Sequence, residues 1–93
     1  MAEPSKPATT LIQFGGGHGA SYSPAQATIK VGDTVEWQGD FSIHPLVSDD
    51  GLWAPVSTGS VFSFTFTMPG TFHFHCQVHE ALGMAGQVIV AGS

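Results

Sequence analysis

Apolar and polar positions alternate along most of the chain, and turn-forming residues interrupt the alternation every few residues. That period of two, punctuated by Gly, Pro and Asp, predicts short β-strands and no helix. Thr9–Phe14 is a first strand, broken by the glycine loop Gly15–Ala20. Ala27–Val31 and Thr34–Gln38 follow, joined at the turn pair Gly32–Asp33. A loop over Gly39–Ser42 leads into Ile43–Ser48, Asp49–Gly51 turns the chain, and Leu52–Gly59 reads as irregular. Val61–Thr67 and Thr71–Cys76 are the clearest strands, joined at Met68-Pro69-Gly70, and Gly86–Ala91 is the last. Seven to eight strands in one all-β sandwich are therefore expected, without repeats.

The two clearest strands also say which side chains face the core. Side chains alternate across a strand. Phe62, Phe64 and Phe66 share one face of the first, and Phe72, Phe74 and Cys76 share one face of the second. Cys76 thus points inward at the end of a core strand, while His73 and His75 point toward solvent.

At 93 residues the chain has room for one domain. A domain of this size buries only about 60–65% of its unfolded surface and benefits from a staple. Cys76 is the only cysteine, so an intrachain disulfide is impossible. A metal remains. Three of the five histidines, His73, His75 and His79, cluster around Cys76; His44 and His18 lie upstream. The segment Cys76-Gln77-Val78-His79-Glu80-Ala81-Leu82-Gly83-Met84 places a thiolate, an imidazole and a thioether on one loop, spaced Cys-x2-His-x4-Met. Soft sulfur ligands favour copper, and a His2Cys set with a weak axial Met is the geometry of electron-transfer copper. His44, 32 positions before Cys76, is the natural second imidazole. Against these readings stand plain ones: a buried Cys as a small hydrophobe, Met84 as core filler, His44 as a satisfied core residue. The spacing and the position of Met84 on a loop favour the metal. His73 and His75 at i, i+2 read as an exposed pair rather than a second metal site, His18 as a loop residue, and Asp49 and Asp50 as a solvated turn.

Charge narrows the partners. Two lysines face seven carboxylates, for a net charge of −5. This argues against nucleic acid and anionic membrane surfaces and suits a basic partner. No apolar run approaches the ~20 residues of a membrane span. The opening MAEPSKPATT is polar, lacks the apolar core of a signal peptide, and reads as a flexible tail (1–8) ahead of a single domain (9–93).

The segment Phe72–Val90 (FHFHCQVHEALGMAGQVIV) resembles the copper loop of plastocyanin and pseudoazurin, including Gly83 before the Met and Gly86 after it. Tyr22–Val35 (YSPAQATIKVGDTV) and Ile43–Val47 (IHPLV) are also similar to plastocyanin. The resemblance implies a cupredoxin-like Greek-key β-sandwich holding one type 1 copper through His44, Cys76, His79 and Met84. It implies a monomeric, periplasmic or otherwise extracytoplasmic blue-copper protein that passes single electrons between redox partners, docking near His79 through Pro45, Leu82, Met84 and Ala85. It implies no enzyme activity: the second domain of a multicopper oxidase or nitrite reductase is missing. Copper carriage or storage, or membership of a larger membrane-anchored or multicopper chain, fits the same ligands. The chain departs from plastocyanin in four ways. The stretch between His44 and Cys76 is shorter, so a helix-bearing insertion is expected to be trimmed. Pro45 replaces an Asn after the first His, Val78 replaces a Pro before the second, and His75 replaces a Tyr beside the Cys.

Overall fold

The computed structural model describes residues 8–15, 17, 19, 21–79 and 83–92. Among them are eight strands and no α-helix: β1 (Thr9–Phe14), β2 (Tyr22–Ser23), β3 (Gln26–Lys30), β4 (Thr34–Gln38), β5 (Leu46–Ser48), β6 (Val61–Thr65), β7 (Gly70–Cys76) and β8 (Ala85–Ala91). They form two four-stranded sheets, β2-β1-β4-β6 and β3-β8-β7-β5. The pairs β1–β4 and β3–β8 are parallel and the others antiparallel. From β2 to β7 every connection changes sheet, so β3, β4, β5 and β6 lie beside partners that are not their neighbours in sequence.

Alternation places the core as expected. Ile12, Phe14, Val35 and Trp37 from one sheet meet Ala27, Ile29, Leu46, Phe74, Cys76, Val88 and Val90 from the other. Trp37, wholly buried, packs its ring against Trp53, Phe62 and Phe74, with centroids 5.1–5.9 Å apart. Truncating such a ring to Ala costs about 3–5 kcal/mol. Gly86 marks where β8 comes closest to its neighbours: a Cβ there would run into the Ala25 carbonyl and the Phe74 ring. No helix interrupts the stretch between His44 and Cys76, so the trimmed insertion is borne out.

Two expected strands are shorter than the pattern suggested. Ile43, His44 and Pro45 precede β5, because the Asp40 carbonyl takes the Ile43 and His44 N–H groups into a turn. Phe66 and Thr67 fall beyond β6, where Phe66 N–H and C=O bond to Asp33 and Gly32. The loop Gly39–Ser42 is more than a linker, since Phe41 is fully buried against Phe14. The expected tail lies outside the described residues except for Ala8, which donates to the Asp33 carboxylate and accepts from Thr34 N–H.

Candidate metal centre

Cys76 ends β7 on the inward face set by Phe72 and Phe74, and it is 0% exposed. Its N–H donates to the Met84 carbonyl (2.9 Å), and Met84 N–H donates to the His79 carbonyl (3.2 Å). These two bonds close the loop that carries all three residues. Across the sheet, Leu46 pairs with Cys76. His44, two residues earlier, is thereby carried to the same end of the sandwich. Gln77 N–H donates to the Pro45 carbonyl (3.1 Å), tying the segment that carries His44 to the one that carries Cys76.

Three donor atoms converge. His44 Nδ1 lies 3.1 Å from His79 Nδ1 and 3.7 Å from Cys76 Sγ, and His79 Nδ1 lies 3.4 Å from Sγ. Metal bonds of ~2.0 Å to imidazole and ~2.3 Å to thiolate, set about 120° apart, separate their donors by about 3.5–3.7 Å. The observed triangle is close to that size. Lone pairs this near one another repel unless a proton or a cation lies between them, so the residues fit a metal. Met84 is fully buried and held to Cys76 and His79 by the backbone bonds just described.

The surroundings differ from one of these residues to the next. The His44 ring meets Phe14 edge-on (5.9 Å, 89°). Its other edge faces Gly15, which has a φ of 72°. A Cβ on Gly15 would come within 3.1 Å of that ring, so glycine is what leaves room for the imidazole. Burial, with the His79 imidazole alongside, holds His44 below the ordinary imidazole range and favours a metal over a proton. Asp40, at the start of the turn, is held below the usual carboxylate range by hydrogen bonds from Ser42. Burial pushes the Tyr22 hydroxyl far above the ordinary tyrosine value, with Cys76 adding to the effect, so Tyr22 stays neutral.

The structure brings His44, Cys76, His79 and Met84 to one place and, among the described residues, leaves His73 and His75 apart from it. His73 is exposed. His75, expected toward solvent, is largely covered, and its Nδ1 pairs with Asp49 Oδ1 at 2.6 Å. Asp50 accepts the His73 N–H (3.2 Å), so the Asp49–Asp50 turn is fastened to β7 rather than merely solvated. His18 and Leu82 lie outside the described residues. Met84 is too deep to belong to the expected docking patch. Ile43 and Val78, next in sequence to His44 and His79, are 56% and 64% exposed. The roles of Asp40 and Gly15 were absent from the sequence reading; the Asp-x-Ser pair two residues before His44 was the available signal for the first.

The family of copper-binding proteins described as plastocyanin/azurin matches residues 53–91, which include Cys76, His79 and Met84. The plastocyanin of Prochlorothrix hollandica is 33% identical over 96% of this chain and 78% of its own length. The chain belongs to the plastocyanin/azurin family. The halocyanin of Natronomonas pharaonis is also 33% identical, over 86% of the chain. The chain spans about half the length of that halocyanin and of the rice chloroplastic plastocyanin, 54% in each case. Among solved structures, an amicyanin variant superposes with a TM-score of 0.70 at 25% identity, over 89% of this chain and 82% of the amicyanin. A pseudoazurin from Hyphomicrobium denitrificans shares the fold at a TM-score of 0.70 and 23% identity, over 89% and 75%. This family member is a cupredoxin-like blue-copper electron-transfer protein, and copper is its cofactor. His44 lies upstream of the matched span, so its place in the centre rests on geometry.

Proposed function

We propose that His44 Nδ1, Cys76 Sγ, His79 Nδ1 and the Met84 thioether hold one copper ion, and that residues 9–93 act as a monomeric, single-domain electron shuttle behind a flexible N-terminal tail (1–8). The observation that carries this is the triangle of His44, Cys76 and His79 donors, all within 4.8 Å of one another, beside the buried Met84. Copper bound there supplies a one-electron couple and a sulfur-to-metal charge-transfer band. The protein's own part is to fix the donors, exclude water from the sulfur side, and leave an imidazole near the surface. His79 is only half-buried and is flanked by the exposed Val78. That arrangement supports docking of a redox protein near His79, with Ile43 and Val78 as the apolar contacts.

A fourth protein ligand leaves no open position for substrate, which supports a carrier of electrons rather than an enzyme. Among the described residues no helix is long and apolar enough to cross a membrane. An extracytoplasmic, periplasmic setting rests on the family resemblance. Copper carriage would use the same donors, and two measurements separate the readings. Adding Cu(II) to the apo-protein should raise an intense visible band at one equivalent, and voltammetry should give a reversible one-electron wave. Binding without the band removes the thiolate assignment. A band without a reversible wave favours carriage.

A further inference from the structure

His44 differs from the other three residues of the centre. Cys76, His79 and Met84 share one loop closed on itself, whereas His44 rides on a separate turn before β5. Among the described residues, the backbone bond from the Cys76–Met84 loop to that turn is the one from Gln77 to Pro45. The other end of the turn is held separately.

That end is Asp40. Its carbonyl accepts the N–H groups of Ile43 (3.2 Å) and His44 (2.9 Å). Its Oδ1 accepts the Ser42 N–H (2.9 Å) and the Ser42 hydroxyl (2.5 Å). A carboxylate bonded to its own backbone two residues on is an Asx-turn, which fixes the chain direction locally. Phe41, between them, is fully buried and donates its N–H to the Gly59 carbonyl (3.2 Å), which anchors the turn to the core. One bond is thus made to the backbone that leads into His44, one to the hydroxyl that braces it, and two to the peptides of the turn. The imidazole that results stands between Phe14 and Gly15 with little room to tilt.

We propose that Asp40 is a positioning residue for the copper centre: its carboxylate sets the Asp40–His44 turn and so presents His44 Nδ1 to the metal. This rests on the ligand assignment above. The role belongs to the shape of the Asx-turn and not to negative charge. Outer groups that orient a ligand typically change metal affinity by about 10–100-fold, and this one, exposed and braced by the backbone, lies at the lower end of that range.

The test uses the full chain with three substitutions, Asp40→Ala, Asp40→Gln and Asp40→Asn. Asn keeps a short side-chain oxygen that closes the same turn. Gln is equally neutral, but its longer stem misplaces the acceptor. Cu(II) affinity, measured by competition with a chelator, should fall about tenfold in Asp40→Ala and Asp40→Gln. The copper hyperfine pattern in electron paramagnetic resonance should change with it. Asp40→Asn should restore both. If Asp40→Ala does not fold, the Gln and Asn pair decides alone. Equal affinity and spectra in Gln and wild type overturn the proposal, as does an Asn variant as impaired as Gln, which would make charge the cause. A wild-type protein that takes up no copper removes the ligand assignment and this proposal together. A blue wild type with an unchanged Asp40→Gln removes the proposal alone.

Discussion

The two sulfur donors and the two imidazoles of the centre live in different surroundings. Cys76 and Met84 are 0% exposed, whereas His44 is 9% exposed and His79 half-buried. The sulfur-bearing residues share one loop, each bonded backbone to backbone within it, and both belong to the buried core. The imidazoles arrive from two segments tied together by the Gln77–Pro45 backbone bond beside the Leu46–Cys76 strand pairing. Burial of the sulfur side gives a dry, low-dielectric environment that governs the electronic properties of a bound metal. The imidazole side gives the short path to the surface. The contrast implies that sulfur-side changes alter colour and potential, and that imidazole-side changes alter traffic with partners.

The largest expected break is on the sulfur side. Cys76→Ser replaces the only soft anionic donor with a hard hydroxyl and should abolish the intense visible band. Met84→Ala should keep the band and shift the potential, since a thioether in this ligand set would bind copper only weakly. A strongly blue Cys76→Ser protein would refute the ligand set. Both spectra are read after loading with one equivalent of Cu(II).

Stability should respond to both sides at once. Copper binds the folded triangle far better than the unfolded chain. Free ligand at 100 times its dissociation constant contributes about 2.7 kcal/mol, which for a domain of this size raises Tm by about 10–20 °C. Calorimetry on apo and loaded protein checks this. Coincident transitions would mean that the centre does not staple the fold.

Much of the sulfur side was legible in the sequence, and less of the imidazole side was. The Phe72, Phe74, Cys76 alternation reports which face is buried, and the Cys-x2-His-x4-Met spacing reports three donors on one loop. Alternation does not report which strands pair. The parallel β1–β4 and β3–β8 contacts join segments remote in sequence, so they leave no local pattern. His44 was found as a residue type in a plausible place, but its turn was read as strand. Ile43 and Leu46 look like strand residues; the Asx-turn at Asp40 overrides them through hydrogen bonds that propensity does not count. Met84 was expected both to hold the metal and to join the docking patch around His79, and a fully buried residue cannot do the second. Its two backbone bonds draw it inward. His75 was expected in solvent because strand alternation cannot foresee a carboxylate arriving from another turn.

On the imidazole side, Val78→Glu and Ile43→Glu place charges on exposed positions beside His79 and His44. Each should slow electron transfer to the natural partner several-fold while changing potential little, since both side chains point into water where a new charge is well screened. Stopped-flow kinetics and voltammetry on the same samples separate the effects. Unchanged rates in both variants would move docking elsewhere, to the β7 face that carries His73.

The smallest effect is the one that joins the two sides. In plastocyanin-like sites the residue after the first His offers its N–H to the cysteine sulfur. Here that residue is Pro45, which has no N–H to give. Its carbonyl nevertheless accepts from Gln77, so the backbone at Pro45 still lies against the Cys76 loop. A hydrogen bond to the thiolate would draw electron density from the sulfur, favour Cu(I) and raise the potential. One such bond is worth about 1 kcal/mol net. With about 59 mV per tenfold change in a one-electron equilibrium, the shift is some tens of millivolts. Pro45→Ala restores the N–H and retains the carbonyl that Gln77 uses, so its potential should rise by that amount at constant pH. Proline also stiffens the turn that Asp40 begins, and Pro45→Ala relaxes it. Pro45→Gly relaxes the turn further while supplying the same N–H. If the hydrogen bond is the cause, Ala and Gly raise the potential alike. If stiffness is the cause, Gly departs from wild type more than Ala does, and an unchanged or lowered potential in both removes the hydrogen-bond account.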